Sequence, residues 1–329
     1  MSTTPARPVR VAVIGGGQNC EHEVGLATAA AVRAALPDGY EPVALTIGRD
    51  GTWHGPGERP CEDGIGGALR LLASCDVVFP AVHGPRGEDG TLAALCELAG
   101  LPYIGSGVRA GALAMDKPTT KLIAERAGIS VARAVTVTDA DGPVPLPLPV
   151  VVKPVAAGSS HGVTRVDSED TYQQAVTDAL ALDSRVLVEE FVTGREVDIA
   201  VLRQADGTLI TSPALEIVNP DGALFDTRRK YDGTAEFLIP APLAAPEHHA
   251  LARSATVLYR ELGCSGTARF DFFLTDHGLV LNEVNTAPGL TAHSQVPQMF
   301  ATAGLSYPRL LAELIEGALT DRAAPESDW

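Results

Sequence analysis

The chain has 329 residues, of which 45% are hydrophobic and 20% charged, and its formal net charge is −16. This is an ordinary globular composition in a chain long enough for two or three lobes, each with its own core. The acidity, with one basic cluster at Arg228-Arg229-Lys230, argues against a nucleic-acid-binding face, although a few placed lysines suffice to hold a triphosphate.

The sequence also restricts the compartment. No run of about 18 apolar residues predicts a membrane span, and the polar N-terminus lacks the apolar stretch of a secretory signal. The five cysteines are scattered without a C-x-x-C pair, which argues against disulfides and zinc. We therefore expect a cytoplasmic protein that binds neither membranes nor nucleic acid.

Residues 1–116 alternate strand-like and helix-like segments. Three apolar runs predict strands, at residues 11–14, 43–47 and 77–82. After the first run a helical pattern predicts one apolar face, formed by Val24, Ala27, Ala31 and Val32. This βαβ rhythm predicts an α/β fold that begins with an open parallel sheet.

Three glycines at residues 15–17 follow the first strand and invite a dinucleotide-binding interpretation. The G-x-G-x-x-G pattern fails, because Cys20 stands where the third glycine is required. No acidic residue ends the second strand, since Asp50 comes too late in the chain. The sequence therefore disfavours a nicotinamide-dependent dehydrogenase.

Residues 117–211 predict a second lobe after a break at 115–117, with strands at 149–153, 186–192 and 197–202. Lys153 ends the first of these strands, and the sequence GSSHG follows at 158–162. A glycine-rich loop offers backbone N–H groups and hydroxyls to phosphate oxygens, and a lysine supplies the opposite charge. For the GSSHG segment alone, an ordinary turn is an equally good interpretation. Lys117 is a second candidate cation for phosphate.

The strand at 186–192 carries two acidic residues in an apolar run. Such a strand can present backbone groups and one carboxylate to an adenine edge, with Glu196 near the ribose hydroxyls. The alternative is an amphipathic strand with a solvated acidic face, and the residues alone favour that alternative.

Residues 212–329 predict a third lobe that contains a hairpin. Its strands span 268–274 and 279–284 and are joined by a tight turn at 276–278. A last helix begins at Ser306, with a proline in its first turn and one apolar face formed by Leu310, Leu311, Leu314 and Ile315.

Acidic and amide side chains in this hairpin predict a metal site. Glu283 and Asn285 share one face of the second strand, since residues two apart in a strand do so. If the turn centres on His277, Asp271 faces Glu283 across the ladder. Opposed carboxylates and an amide oxygen suit Mg²⁺, whereas the alternative is solvated residues at a sheet edge. The apolar flanking residues favour a buried site.

Seven ordered blocks, from about residue 10 to residue 320, make the chain resemble the D-alanine–D-alanine ligases of the ATP-grasp fold. They are IGGGQNCEHEVG (14–25), AVHGPRGEDGTLAALCELAGLPYIGSG (81–107), MDKPTTK (115–121), VVVKPVAAGSSHGV (150–163), VLVEEFVTGREV (186–197), ARFDFF (268–273) and NEVNTAPGLTAHS (282–294).

The resemblance implies a Rossmann-like N-terminal domain (1–116), a central ATP-grasp lobe (117–211) and a C-terminal ATP-grasp lobe (212–329). It implies ATP-dependent ligation of two D-amino acids through an acyl phosphate, foremost D-alanine with D-alanine for peptidoglycan precursor synthesis. It further implies two Mg²⁺ or Mn²⁺ ions and a homodimer. These activities need a lid that excludes water, for which residues 219–238 are the candidate segment.

The resemblance also implies site residues. Those for the substrates and for catalysis are Glu21, His83, Ser159, Tyr231, Arg269, Gly289, Ser294 and Gln295. Those for the nucleotide are Lys117, Lys153, Ser159, Ser160, Glu189, Glu190, Phe191, Val192, Glu196 and Lys230. The metal ligands are Asp271, Glu283 and Asn285.

The chain departs from the family pattern in three places. The lid segment carries Thr227-Arg228-Arg229 where a more acidic run is usual, and His161 stands at a usually apolar position. Gln295 replaces an apolar residue beside the second-substrate pocket. Two alternatives therefore stay open: a ligase for another amino-acid pair, and a catalytically silent nucleotide-binding protein.

Overall fold

The computed structural model describes residues 7–218 and 236–321. In this part of the chain, helices flank three β-sheets in the α/β arrangement that the sequence predicts. Within the same ranges, no helix combines the length and the apolar character needed to cross a bilayer.

The first sheet is the predicted open parallel sheet, with the order β3-β2-β1-β4. Strands β2 and β4 lie parallel to β1 on either side, and the short β3 adds an antiparallel edge. The elements are β1 (Val9–Gly16), α1 (His22–Ala35), β2 (Tyr40–Ile47), β3 (Trp53–His54), α2 (Ile65–Ala73), β4 (Val77–Pro80) and α3 (Thr91–Leu98).

The predicted buried face of α1 is wrong in part. Gly25, Thr28 and Ala29 lie against the sheet with Val32, whereas Ala27 is exposed. The helix approaches β1 so closely that a Cβ on Gly25 would lie 2.5 Å from the Gly16 carbonyl oxygen. Small residues therefore mark the packed face, because close contact leaves no room for larger ones.

The second sheet is antiparallel, with the order β6-β9-β7-β8, and the helix α6 packs against it. Every residue of β7 is buried. The elements are β6 (Ala134–Val137), β7 (Val150–Pro154), β8 (Thr164–Val166), α6 (Glu169–Leu180) and β9 (Val186–Glu190).

The largest sheet has the order β13-β12-β10-β14-β15-β5, and β11 pairs with β10. Its strands are β5 (Ser130–Val131), β10 (Arg195–Arg203), β11 (Leu209–Thr211), β12 (Leu215–Val218), β13 (Glu236–Leu238), β14 (Thr267–Thr275) and β15 (Gly278–Asn285). Assigning residues 197–202 to the second lobe was wrong at the level of the sheet, because β10 pairs with β12 and β14. The division into three domains remains a prediction.

The remaining helices cover the largest sheet and join it to the first. They are α4 (Val108–Met115), α5 (Lys117–Arg126), α7 (Ala245–Leu262), α8 (Gln295–Thr302) and α9 (Tyr307–Asp321). The predicted apolar face of α9 is confirmed, since Leu310, Leu311, Leu314 and Ile315 are all buried. This face packs in one core with residues of β1, β4 and β10 and so fixes the N-terminal sheet against the C-terminal one.

The hairpin of β14 and β15 pairs Asp271 with Glu283, as predicted, but for a different reason. Its turn holds only two residues, since Thr275 pairs with Gly278. That turn alone would place Asn282 opposite Asp271. A β-bulge between Asp271 and Phe272 shifts the register by one residue and brings Glu283 into place.

Candidate active site

Two adjoining cavities lie between the three sheets. The first, of about 730 Å³, is lined by residues of α1 and the turn before it, of the loop after β4, of the largest sheet, of the glycine-rich loop and of the segment at 287–295. The second cavity, of about 840 Å³, lies between the second sheet (β6-β9-β7-β8) and the largest sheet. Glu283, Glu196 and His161 line both cavities, so a ligand in one can reach a ligand in the other.

The cavities separate the predicted site residues into two groups. The first cavity brings together Glu21, His83, Ser159, Glu196, Arg269, Asp271, Glu283, Asn285, Gly289, Ser294 and Gln295. The second brings together Lys117, Lys153, Ser160, Glu189, Glu190, Phe191, Val192, Glu196 and Glu283. Ser159, assigned to both groups from the sequence, lines only the first, and Lys230 and Tyr231 lie outside the described residues.

The acidic residues of the hairpin lie where the cavities meet. Asp271 is 4% exposed, and its carboxylate accepts hydrogen bonds from Arg269 Nε at 2.7 Å and Nη2 at 2.8 Å. Asn285 Nδ2 donates to the same carboxylate at 3.0 Å, which leaves the amide oxygen for another partner. Burial lowers the pKa of Arg269, but Asp271 and Asp198 outweigh it and raise the pKa above its ordinary value, so the guanidinium stays charged.

These donors fit a hard divalent cation whose coordination is completed by substrate phosphates. Within residues 7–218 and 236–321 no three His, Cys, Asp or Glu side chains form a metal site by themselves. The hairpin instead offers two opposed carboxylates and one amide oxygen. Mg²⁺ is typically held by one or two carboxylates together with phosphate oxygens and water, so the incomplete protein set suits it.

A buried lysine–glutamate cluster lines the second cavity. Glu189 is 5% exposed and forms ion pairs with Lys121, at 2.9 Å, and with Lys153. Burial raises the pKa of Glu189, but the two lysines outweigh it and hold that pKa below its ordinary value. Lys153 Nζ also lies 3.4 Å from Oδ1 of Asn282, beside the bulge. The Glu189 carboxylate therefore orients two cations in addition to any adenine contact.

Lys121 was missed from the sequence. It lies one helical turn after Lys117 in α5, so both side chains project from one helix face into the second cavity. That i, i+4 spacing inside the block MDKPTTK was the available signal. Lys117 donates to the carbonyl of Ala157 at 2.9 Å and so contacts the glycine-rich loop.

The glycine-rich loop joins the two cavities and carries backbone strain. Ser159 and Ser160 have φ of 50° and 57°, in the left-handed region that non-glycine residues rarely adopt. Ser159 Oγ donates a hydrogen bond to the Glu21 carboxylate. A Cβ on Gly158 would lie 2.3 Å from Glu21 Oε2, so only glycine lets the loop approach this closely.

Glu21 and His83 form the opposite wall of the first cavity, and both are buried. Glu21 Oε2 has no hydrogen-bond partner among the described residues. His83 Nδ1 lies 2.9 Å from the Ala287 carbonyl, which can only accept, so Nδ1 carries the proton. Burial lowers the pKa of His83, so the ring is neutral and its Nε2 accepts from Thr28 Oγ1 at 2.9 Å.

Glu88, also missed from the sequence, lies in the same wall between acidic neighbours. It accepts a hydrogen bond from the Gly84 N–H at 3.0 Å. Burial, then Glu21 and Glu283, raise the pKa of Glu88 to about 8. Its position within GPRGEDG, a glycine-rich stretch after β4, gave no separate signal of this environment.

The wall around α8 offers groups suited to a carboxylate. Ser294 occupies the N-cap position of the helix but makes no side-chain capping bond, and its Oγ instead accepts from the Thr291 N–H at 3.1 Å. A helix N-terminus favours anions, because its first N–H groups lack intrahelical partners. Gly289 lies beside this hydroxyl, where a Cβ would approach Ser294 Oγ to 3.0 Å.

The strand end at 189–192 lies at the far end of the second cavity. Only some of its backbone groups are available for hydrogen bonds to a ligand. The N–H groups of Glu190 and Phe191 donate to the carbonyls of Arg133 and Pro149. The Arg165 guanidinium lies 4.2 Å from the centre of the Phe191 ring, a cation–π contact at the cavity wall. An adenine edge would therefore meet other backbone groups of this segment.

Comparisons with known proteins agree with this arrangement. Two family models match: D-ala D-ala ligase N-terminus over residues 10–106 and D-ala D-ala ligase C-terminus over 128–316. The chain is 40% identical to the D-alanine–D-alanine ligase A of Mesorhizobium japonicum, over 96% of this chain and 98% of that protein. It is 38% identical to the D-alanine–D-alanine ligase of Corynebacterium urealyticum, over 96% and 99%.

Solved structures give the same result. The VanG D-Ala:D-Ser ligase from Enterococcus faecalis has a TM-score of 0.79 at 34% identity, covering 95% of this chain and 100% of that one. The D-alanine–D-alanine ligase from Coxiella burnetii has a TM-score of 0.82 at 29% identity, covering 97% and 96%. The predicted ATP-grasp fold is thereby confirmed.

The Glu189 cluster leads to a stability prediction. We expect Glu189→Gln to lower the free energy of unfolding by about 3–5 kcal/mol, because it leaves Lys121 and Lys153 buried without their counter-charge. Glu190→Gln is the matched control, since Glu190 pairs with Arg133, whose side chain is 67% exposed, and should cost less than about 1 kcal/mol. Urea unfolding of both variants measures the difference, and equal losses would contradict the assignment.

The raised pKa of Glu88 predicts a pH dependence. Between its ordinary value of 4.5 and about 8, the folded protein holds a proton that the unfolded chain has released. This group's contribution to stability is therefore present below about pH 4.5 and is lost as the pH rises through 8. In protein without nucleotide or metal, the unfolding free energy of the wild type should fall relative to that of Glu88→Gln between pH 5 and pH 8.

Urea titrations across that pH range provide the measurement. Glu23→Gln is the control, because it removes a carboxylate whose side chain is 73% exposed. Its unfolding free energy should change with pH in the same way as that of the wild type. If the unfolding free energy of Glu88→Gln showed the same pH dependence as that of the wild type, the raised pKa of Glu88 would be ruled out.

Proposed function

The chain belongs to the D-alanine–D-alanine ligase family, and we propose that it joins two D-alanine molecules at the expense of ATP. The products are D-alanyl-D-alanine, ADP and phosphate, and the dipeptide serves peptidoglycan precursor synthesis. The observation that carries the proposal is the pair of adjoining cavities that share Glu283. One cavity has lysines suited to a triphosphate, and the other has groups suited to two amino acids.

The first D-alanine binds near Glu21. Its ammonium group pairs with the carboxylate oxygen Oε2, a buried acceptor without a partner among the described residues. His83 is neutral and adds no competing positive charge to this wall. The substrate carboxylate then points to the junction of the cavities, where phosphoryl transfer has to occur.

ATP occupies the second cavity. Lys117, Lys153 and Lys121 lie along it, and the loop that carries Ser160 covers the phosphates. Adenine lies at the end formed by residues 189–192, with Glu196 towards the ribose. A carboxylate is a poor electrophile for an amine, so the γ-phosphoryl group passes to the first D-alanine and gives an acyl phosphate and ADP.

Asp271, Glu283 and Asn285 are the proposed ligands for two Mg²⁺ or Mn²⁺ ions. The bound ions supply charge neutralisation for the transferred phosphoryl group. Arg269 remains beside Asp271 and holds this carboxylate in its cavity-facing position.

The second D-alanine then attacks the acyl phosphate through its free amine. Its carboxylate binds Ser294 and the N-terminus of α8, where N–H groups lack intrahelical partners. The attack forms a tetrahedral oxyanion, which Arg269 and the Gly289 N–H stabilise. Collapse of this intermediate forms the amide bond and releases phosphate, and the proton leaves from the attacking amine.

An acyl phosphate is lost to hydrolysis if water enters, so the site requires a cover. We assign this task to residues 219–238, most of which lie outside the described residues. Lys230 is assigned to the phosphates. Tyr231 would join Glu21 and Ser159, whose hydrogen bond already closes one side of the first cavity. We further propose that the protein is a cytoplasmic homodimer. Each chain would have three domains, with boundaries after residues 116 and 211.

Product analysis tests the activity. Incubation with ATP, Mg²⁺ and D-alanine should give a dipeptide, identified by mass, with one phosphate released per peptide bond. L-alanine should give neither product. Phosphate release without dipeptide, or no reaction with any D-amino acid, would refute the proposal.

Charge removal in the hairpin tests the metal assignment. We expect Asp271→Asn and Glu283→Gln each to lower kcat/KM more than about 100-fold, because metal ligation supplies several kcal/mol of transition-state stabilisation. Asp276→Asn, in the exposed turn of the same hairpin, is the control and should retain normal rates. Near-normal turnover by both ligand variants, with circular dichroism confirming folding, would exclude these residues as metal ligands.

A further inference from the structure

Asp198 and Gln295 form a polar pair in the wall of the first cavity. Asp198 is 1% exposed and lies on β10 directly opposite Asp271. Gln295 is the first residue of α8, next to Ser294. Gln295 Nε2 donates a hydrogen bond of 2.9 Å to Asp198 Oδ2.

This hydrogen bond fixes which end of the Gln295 amide is available. An ionised carboxylate only accepts hydrogen bonds, so the amide must turn its NH₂ group towards Asp198. The carbonyl oxygen Oε1 is then left for other partners, and no donor in residues 7–218 or 236–321 is bonded to it. Since Gln295 lines the cavity, the group it offers a ligand there is an acceptor.

Asp198 is held firmly enough to impose this orientation. Its backbone lies between β12 and β14 in the largest sheet. Its Oδ2 also lies 3.7 Å from Arg269 Nε, so the same oxygen serves the guanidinium and the amide. A buried carboxylate on a central strand leaves the Gln295 side chain little freedom to turn over.

We propose that Asp198, acting through Gln295, makes the second subsite accept a D-amino acid whose side chain donates a hydrogen bond, with D-serine as the test substrate. This rests on the proposed function, in which Ser294 binds the carboxylate of the second substrate. The hydroxyl of D-serine bonds to Gln295 Oε1, whereas the methyl group of D-alanine does not. D-alanine remains a substrate, and the pair sets the ratio between the two.

The expected effect follows from the worth of one hydrogen bond. A net gain of about 1 kcal/mol corresponds to about a fivefold change in relative kcat/KM. Gln295→Leu removes the acceptor at nearly constant size. We therefore expect this variant to lower the ratio of D-alanyl-D-serine to D-alanyl-D-alanine about fivefold.

The experiment is a competition assay. Wild type and variants receive ATP, Mg²⁺ and equal concentrations of D-alanine and D-serine, and tandem mass spectrometry distinguishes a C-terminal serine from an N-terminal one. Gln298→Leu is the matched control on the same helix, because its amide donates to the His293 carbonyl and lines neither cavity. It should keep the wild-type ratio and rate.

Asp198→Asn tests whether the Asp198 carboxylate sets the orientation of the Gln295 amide. An asparagine both donates and accepts, so Gln295 can turn its NH₂ group into the cavity and the ratio should fall towards that of Gln295→Leu. Any loss of rate through Arg269 affects both products alike and leaves the ratio unchanged. In the Gln295→Leu background, Asp198→Asn should not change the ratio further.

The outcomes separate this proposal from the proposed function. D-alanyl-D-alanine formation with the same ratio in wild type and Gln295→Leu overturns the subsite assignment and leaves the ligase activity standing. An equal effect of Asp198→Asn in both backgrounds overturns the role of Asp198. A wild type that forms no dipeptide from D-alanine alone overturns both.

Discussion

The site depends on two carboxylates that face each other across a hairpin with a buried core. Asp271 and Glu283 are paired on β14 and β15, and the neighbouring Phe270 and Phe272 are fully buried. Opposed carboxylates repel each other, so the arrangement is stable only if cations lie beside it. Arg269 is one such cation, and the donor set leaves room for metal-bound phosphates. The β-bulge that aligns the pair is therefore as important to the site as the acidic residues.

The second cavity contains the complementary charges. There the buried Glu189 holds Lys121 and Lys153, and Lys117 projects from the same helix as Lys121. The proposed metal ligands on one side and the lysines on the other form a channel suited to a triphosphate between them. Since Glu283 lines both cavities, the phosphate end of that channel opens onto the amino-acid side. This continuity lets phosphoryl transfer and amide formation occur in two adjoining cavities.

Sequence reasoning succeeded where one local rule determined the structure. The parallel N-terminal sheet, the last helix and the hairpin all follow from periodicity and turn residues. It failed where long-range packing decided the outcome. The sequence 197–202 reads as a strand in any sheet, and only its pairing with β14 places it in the largest one. The packed face of α1 was misjudged because Gly25 and Ala29 gain their contacts from closeness to β1, which no apolar pattern records.

The site followed the same division. Most of the site residues predicted from the sequence line the two cavities, because the ordered blocks resemble those of a known family. Sequence reasoning missed Lys121 and Glu88, whose roles depend on burial beside particular charges. It also predicted the Asp271–Glu283 pairing from a wrongly centred turn, and the bulge at the next residue compensated for that error.

The most direct test of the central claim is a crystal structure with Mn²⁺ and a non-hydrolysable ATP analogue, with anomalous scattering used to locate the metal. We expect anomalous peaks within coordinating distance of Asp271, Glu283 and Asn285, on the triphosphate side of the hairpin. Peaks elsewhere, or a bound triphosphate that leaves these three side chains without metal, would contradict it.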